Sequence, residues 1–296
     1  MNPRTVILIV GPTAVGKTAA AIRLAKGLHT KIISADSRQC FRELTIGSAK
    51  PSEEELRAVP HYFINSHSIP EPVTAALFEE LALAWSSEIF RERDHLVMVG
   101  GTGLYIQAFC EGLDAIPVID PAIREAVRSG FEQGGIGWLQ AQVQEADQEF
   151  YTEGEIHNPH RLMRALEVKR STGRSILSFR SHQKKQRPFR IRKIGLQLPK
   201  EELHRRIHER VDHMMAAGLL EEVKSLLPYK NLNALRTVGY SELFDHLEGR
   251  LSLSAAVEEI KKNTRRYAKR QMTWFRKDPS IEWTDAEDDL KKITED

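Results

Sequence analysis

Thr5-Val-Ile-Leu-Ile-Val10 runs directly into Gly11-Pro-Thr-Ala-Val-Gly-Lys17-Thr18, and this junction decides the fold. The first stretch, aliphatic and β-branched, reads as a strand covered on both faces. The second has the G-x-x-x-x-G-K-T spacing in the place that spacing requires, between a strand and a helix. Its glycines let backbone N–H groups curl around phosphate oxygens with no Cβ in the way. The helix that begins there turns its positive end toward the same oxygens. Lys17 supplies a point charge and Thr18 a hydroxyl for Mg²⁺. Such a loop recognises a diphosphate; it does not by itself specify ATP.

Outward from the loop, strands and helices alternate. The pattern predicts strand 5–10, helix 16–28, strand 31–35, a helix over about 72–92, strand 95–100 and helix 103–111. That order predicts an α/β protein, a P-loop core with a parallel sheet flanked by helices. From Asp120 to about Arg180 the pattern is entirely helical, punctuated by Pro121, Gly134-Gly135, Pro159 and Gly173. Arg192 to Leu198 reads as a strand returning to the sheet. Pro199 then opens a helix through Ala217, followed by helices 219–227, 240–248 and a long basic 252–277, with a short strand 281–283. The expected organisation is a first core segment at 1–115, an all-helical insertion domain at 116–190, and core completion with a basic C-terminal helix at 191–296.

Composition sets broad limits. The 296 residues, 28% charged and 41% hydrophobic, suit a globular core with a satellite lobe. No apolar run approaches the roughly 20 residues that span a bilayer, and the N-terminus lacks a signal-peptide layout. Cys40 and Cys110 are the only cysteines and lie far apart, suggesting neither a disulfide framework nor a zinc site. A reduced, cytoplasmic setting and a monomer without membrane or protein partner are the expectations. The net charge of +2 conceals local asymmetry. Arg180 to Lys193 carries seven basic residues and no acid. Lys261 to Lys277 carries eight, again with no acid, and interleaves Tyr267, Trp274 and Phe275, while the chain end beyond Asp285 is acidic. A single charge run is usually a solvated face. Two acid-free basic segments, one with aromatics, read as a footprint for a phosphate backbone.

Three further features bear on chemistry. The second strand ends in Ser34-Ala-Asp36-Ser-Arg-Gln39, which delivers Asp36 to the mouth of the phosphate site. A carboxylate there can hold Mg²⁺ through water, cap a helix or act as a base. The third strand ends in Val99-Gly-Gly-Thr102-Gly, where a P-loop kinase often carries an aspartate for Mg²⁺; the glycines suit close approach of a ligand to the backbone. Arg206 and Arg210, four apart, share a helix face behind Leu203, Ile207 and Val211. Either they form an exposed face paired to Glu202, Glu209 or Asp212, or one reaches back to the phosphate.

Together the motifs resemble the tRNA dimethylallyltransferases, the tRNA isopentenyltransferase family. The matching blocks, in family order along the whole chain, are GPTAVGKT (11–18), SADSRQ (34–39), IGSAKP (46–51), HYFI (61–64), GGTGLYI (100–106), HRLMRALEV (160–168), TVGYSEL (237–243) and TRRYAKRQMTWFRK (264–277). Departures from the usual pattern fall at His160, where Gln is common, at Cys40-Phe41, at Ser48 and at Asn65.

The resemblance implies transfer of a dimethylallyl group from dimethylallyl diphosphate to N6 of the adenosine 3′-adjacent to the anticodon, position 37. Gly11, Pro12, Thr13, Ala14, Val15, Gly16, Lys17 and Thr18 would hold the diphosphate, with Mg²⁺ on Thr18. Asp36 would accept a proton from the target amine or polarise it, and Arg210 with Lys17 would steady the diphosphate. Asp36, Ser37, Arg38, Gln39, Thr102, Arg124, His160, Arg161, Leu162, Met163 and Arg164 would contact the tRNA, and the helical insertion would clamp its anticodon stem-loop. Other functions compatible with the motifs are a prenyltransferase acting on free adenine nucleotides, a P-loop small-molecule kinase, and a non-catalytic RNA-binding module that leaves the P-loop and Asp36 unexplained.

Overall fold

Three strands with almost no exposed residue, β1 (Thr5–Val10), β2 (Ile32–Ala35) and β4 (His95–Gly100), need cover on both faces. With β3 (His61–Tyr62), β5 (Arg190–Gln197) and β6 (Ile281–Asp285) they form one sheet in the order β3-β2-β4-β1-β5-β6, every pair parallel. The computed structural model describes residues 3–181 and 183–286. His182, in the first basic segment, and the acidic end after Ala286 lie outside these residues.

Alternation along β1 sorts the core into two layers. Val6, Leu8 and Val10 face one side, while Ile7 and Ile9 face the other. On the Ile7 side α1 (Lys17–Gly27) packs Ala20, Ala21, Leu24 and Ala25 against the sheet. Two elements absent from the sequence-based expectation come next. α2 (Glu53–Ala58) begins at a capping box in which Ser52 and Glu55 each bind the other's backbone N–H, and the two-residue β3 is too short to carry a periodic signal. On the Val6 side lie α3 (Ala75–Ile89) and α4 (Gly103–Glu111).

The chain then forms α5 (Pro121–Ala146), α6 (Gln148–Glu153) and α7 (Pro159–Thr172). α5 breaks at Gly135, which adopts φ 63° and ψ −161°. The chain returns through β5 to α8 (Lys200–Ala216), α9 (Leu219–Ser225), α10 (Tyr240–Leu247) and α11 (Leu253–Phe275), completing the Val6 layer. The described chain separates into two units, Gly112–Lys185 and the remainder. The first has its own core, built from Val127, Leu139, Val143, Phe150, Leu162 and Leu166. Just inside the other, buried Arg187 pairs with Glu79 at 2.8 Å and donates to the Phe109 and Ala108 carbonyls at 2.7 and 2.8 Å. No helix among the described residues is long and apolar enough to cross a membrane.

Candidate active site

The carboxyl ends of β1, β2 and β4 converge, which is where ligands collect in an open parallel sheet. The loop after β1 is shaped by residues in unusual backbone conformations. Gly11 has φ 143°, and a Cβ there would sit 2.6 Å from the Leu196 carbonyl oxygen. Ala14 and Gly16 have φ 66° and 101°, so the loop wraps inward at a cost in strain at Ala14. Gly16 provides no capping side chain to α1, leaving the first-turn amides open to a ligand. Lys17 Nζ donates to the Pro12 carbonyl at 2.7 Å. Burial, reinforced by the Arg210 guanidinium, pushes the Lys17 ammonium down to about 7, with Asp36 opposing. Thr18 lines the same pocket and its hydroxyl makes no hydrogen bond among the described residues.

Asp36 follows β2. Its Oδ1 accepts from the Arg38 and Gln39 amides at 2.8 and 3.3 Å, an Asx turn that aims the carboxyl. Oδ2 has no protein partner among the described residues. The glycines at and just past the end of β4 are there for close approach: a Cβ on Gly100 would lie 2.2 Å from the Ala35 carbonyl oxygen, and one on Gly103 2.3 Å from Trp274 Nε1. Thr102 ties the two strand ends together, its hydroxyl accepting from the Ser37 amide at 3.0 Å and donating to Ser37 Oγ at 3.3 Å.

The structure separates the two arginines of α8. Arg206 Nε pairs with Glu202 at 2.6 Å. Arg210, four residues on, makes no ion pair among the described residues; its Nη1 reaches Thr13 Oγ1 at 3.5 Å, and burial lowers its pKa despite nearby Asp36. Two cavities meet here. One, of 360 Å³, is walled by the P-loop, Thr18 and Gly101. The other, of 480 Å³, is lined by Arg38, Arg236, Tyr267 and Arg270. Thr13, Asp36, Ser48 and Arg210 belong to both walls.

Several contacts that shape this site were not anticipated from the sequence. Glu222 accepts from the amides of Thr45, Ile46 and Gly47 at 3.1, 2.7 and 3.0 Å and from the Tyr240 hydroxyl at 2.6 Å. Gly47 lies flat on that tyrosine, where a Cβ would come within 2.5 Å of the ring. Gln39 holds the other side of this loop, donating to the Ser48 and Ala49 carbonyls at 3.3 and 3.0 Å. Gln271 joins the P-loop to the end of β4. Arg236 and Arg270 are exposed and carry no ion pair among the described residues, and burial pushes the Tyr267 hydroxyl up to about 12. Tyr240 and Gln271 lie inside recognisable blocks (237–243 and 264–277), but a block does not disclose which partner each side chain meets.

The remaining expected residues fall in the helical unit. Asn158 caps α7 by accepting from the His160 and Arg161 amides, and both of those side chains are exposed. Glu167 takes Arg164 at 3.3 Å and Arg124 at 4.0 Å. Leu162 is fully enclosed in this unit's core and Met163 packs against it. The Leu162 side chain therefore serves packing and is not presented to a ligand, a correction to the contact set read from the motif.

The profile of the family described as IPP transferase matches residues 39–278. The tRNA dimethylallyltransferase of Christiangramia forsetii is 48% identical over 287 residues, covering 97% of this chain and 95% of that protein. That of Cytophaga hutchinsonii is 47% identical over 278 residues, covering 94% and 91%. Among solved structures, the full-length tRNA isopentenylpyrophosphate transferase from Bacillus halodurans superposes with a TM-score of 0.71 at 35% identity, covering 98% of this chain and 93% of that one. With a phosphate loop, a facing aspartate and an arginine gathered as described, and a match of this extent, the chain belongs to the IPP transferase family.

Proposed function

We propose that this protein transfers the dimethylallyl group of dimethylallyl diphosphate to N6 of the adenosine at position 37 of tRNA. The observation that carries the reading is the pair of adjoining cavities with Asp36 and Arg210 in their common wall. One is built for a diphosphate. The other is lined by Tyr267 and by Arg38, Arg236 and Arg270, a stacking surface and cations of the kind a nucleotide with its flanking phosphates requires.

The chemistry follows from that placement. The exocyclic amine of adenine is a weak nucleophile because its lone pair is delocalised into the ring. Rate must come from alignment, from a carboxylate at the amine and from stabilising the charge that leaves. Nitrogen forms a bond to C1 of the dimethylallyl group, the C1–O bond breaks, and the electron pair of that bond departs with the diphosphate. The N6 proton passes to Asp36, whose free Oδ2 is the available acceptor. Lys17, Arg210 and the open amides of α1 receive the diphosphate charge. The base must leave its stack to reach this wall, which costs a few kcal/mol in a duplex and less in a loop.

Mg²⁺ fits this site as a proposal. It commonly keeps several waters and binds one or two protein groups together with substrate phosphates. Thr18 offers an unpartnered hydroxyl, and no cluster of three His, Cys, Asp or Glu among the described residues would cage a metal instead. When bound it would supply charge neutralisation at the diphosphate.

Tests of the reading need labelled dimethylallyl diphosphate, Mg²⁺ and tRNA lacking the modification. Label should appear on adenosine 37; its absence across tRNAs with adenosines at positions 36 and 37 would refute the assignment. Preferential labelling of free AMP would replace it with a nucleotide prenyltransferase.

A further inference from the structure

At the end of β4, where many P-loop proteins place an aspartate, this chain has Gly100-Gly101 and brings in a neutral carboxamide from elsewhere. Gln271, on α11, is 6% exposed, and both ends of its amide are hydrogen-bonded. Oε1 accepts from the Thr13 amide at 2.8 Å, 258 residues away in sequence. Nε2 donates to the Gly101 carbonyl at 3.0 Å. Only one orientation of the amide satisfies an N–H and a carbonyl together, so the side chain is held from both ends. It rests directly on the glycine, since a Cβ on Gly101 would lie 2.1 Å from Nε2, with Lys17 Nζ the next polar atom at 3.8 Å. Thr13, which Gln271 grips, lies in the wall common to both cavities and carries the hydroxyl that Arg210 reaches.

We propose that Gln271 is a positioning residue for donor binding: its carboxamide clamps the P-loop at Thr13 to the end of β4 at Gly101 and so sets the shape of the cradle that receives the diphosphate. This rests on the donor-site reading above. Because its N–H is already taken, Thr13 contributes to the cradle by being fixed in place. The clamp also explains why position 101 is glycine although its φ is ordinary: any side chain would push the carboxamide out of reach.

Two variants reach the clamp by independent routes. Gln271→Met keeps the volume and removes both hydrogen bonds. Gly101→Ala leaves Gln271 in the chain but displaces its amide, the far end of a flexible side chain. Full-length protein is titrated with dimethylallyl diphosphate and Mg²⁺ in the absence of tRNA, then separately with tRNA, and steady-state kinetics and thermal melting are recorded. In both variants the donor Kd and donor KM should rise by about tenfold or more, as expected when a binding loop loses its registration. The kcat at saturating donor should stay within about threefold, and tRNA affinity within about twofold. Unchanged donor affinity in either folded variant would overturn the proposal. So would parallel losses of donor affinity, tRNA affinity and melting temperature, which mark a residue needed only for folding. If Gln271→Met does not fold, Gly101→Ala alone decides the matter. The two readings fail separately: wild-type protein that binds the donor yet labels no tRNA refutes the function and leaves the clamp testable by donor binding.

Discussion

Lys17 gives the donor site a pH dependence that can be worked out in advance. Burial and Arg210 hold its ammonium at about 7 in the unliganded protein, against an ordinary 10.5. A bound diphosphate places negative charge beside it and restores the proton, so donor binding takes up a proton whenever the free lysine is neutral. Affinity is therefore greatest below pH 7 and falls as pH rises through that value. Between pH 6 and pH 9 the charged fraction of free Lys17 drops from about nine-tenths to about one-hundredth, a loss of about 100-fold in affinity, or about 2.7 kcal/mol. The diphosphate titrates too, so the quantity to follow is the ratio of wild-type to Lys17→Met affinity, in which ligand ionisation cancels. Calorimetry in two buffers of different ionisation enthalpy, at pH 8 and fixed Mg²⁺, should show uptake of about 0.9 proton by the wild type and none attributable to this site in the variant. A flat affinity ratio from pH 6 to pH 9, with no difference in proton uptake, would refute the placement of Lys17 against the diphosphate. Without ligand the sign is the reverse. The unfolded chain holds the lysine proton that the folded one has lost, so this group makes the fold more stable as pH rises from about 7 toward 10.5.

Asp36→Asn keeps Oδ1 for the Arg38 and Gln39 amides while removing the carboxylate; single-turnover rates should fall by about 10²–10⁴ with donor and tRNA affinities nearly unchanged, and a near-normal rate would return Asp36 to a purely structural turn. Arg210→Ala should slow the chemical step by about 10²-fold or more, whereas Arg206→Ala, already paired to Glu202, should leave it within about threefold; equal effects would show that the separation of the pair has no bearing on chemistry. Glu222→Ala strands three loop amides and the Tyr240 hydroxyl, which should lower unfolding free energy by about 2–3 kcal/mol in urea denaturation, and a loss below about 0.5 kcal/mol would mean that water replaces it at no cost.

Some elements announce themselves locally. The strand and glycine loop at 5–18 are specified by neighbours within a few residues, as are Asp36 at a strand end and the break in α5 at Gly135. α2 carried a readable signal in Ser52 and Glu55, yet its six residues offer too little periodicity. β3 is two residues long and is held by pairing to β2, so no window centred on it would reveal a strand. Leu162 shows the limit of motif transfer: its block places it among candidate RNA contacts, but helical spacing turns it into the core.

A phosphate-type loop and the order of the core elements could be read locally, because turn chemistry, strand patterning and helix starts act over distances of a few residues. Which of two arginines on one helix face meets Thr13 of the P-loop, and the fastening of distant loops by Gln271 and Glu222, emerge from packing alone. Those assignments depend on which surfaces of distant elements pack together, and that is settled by burial summed over the whole core, beyond the reach of any local pattern.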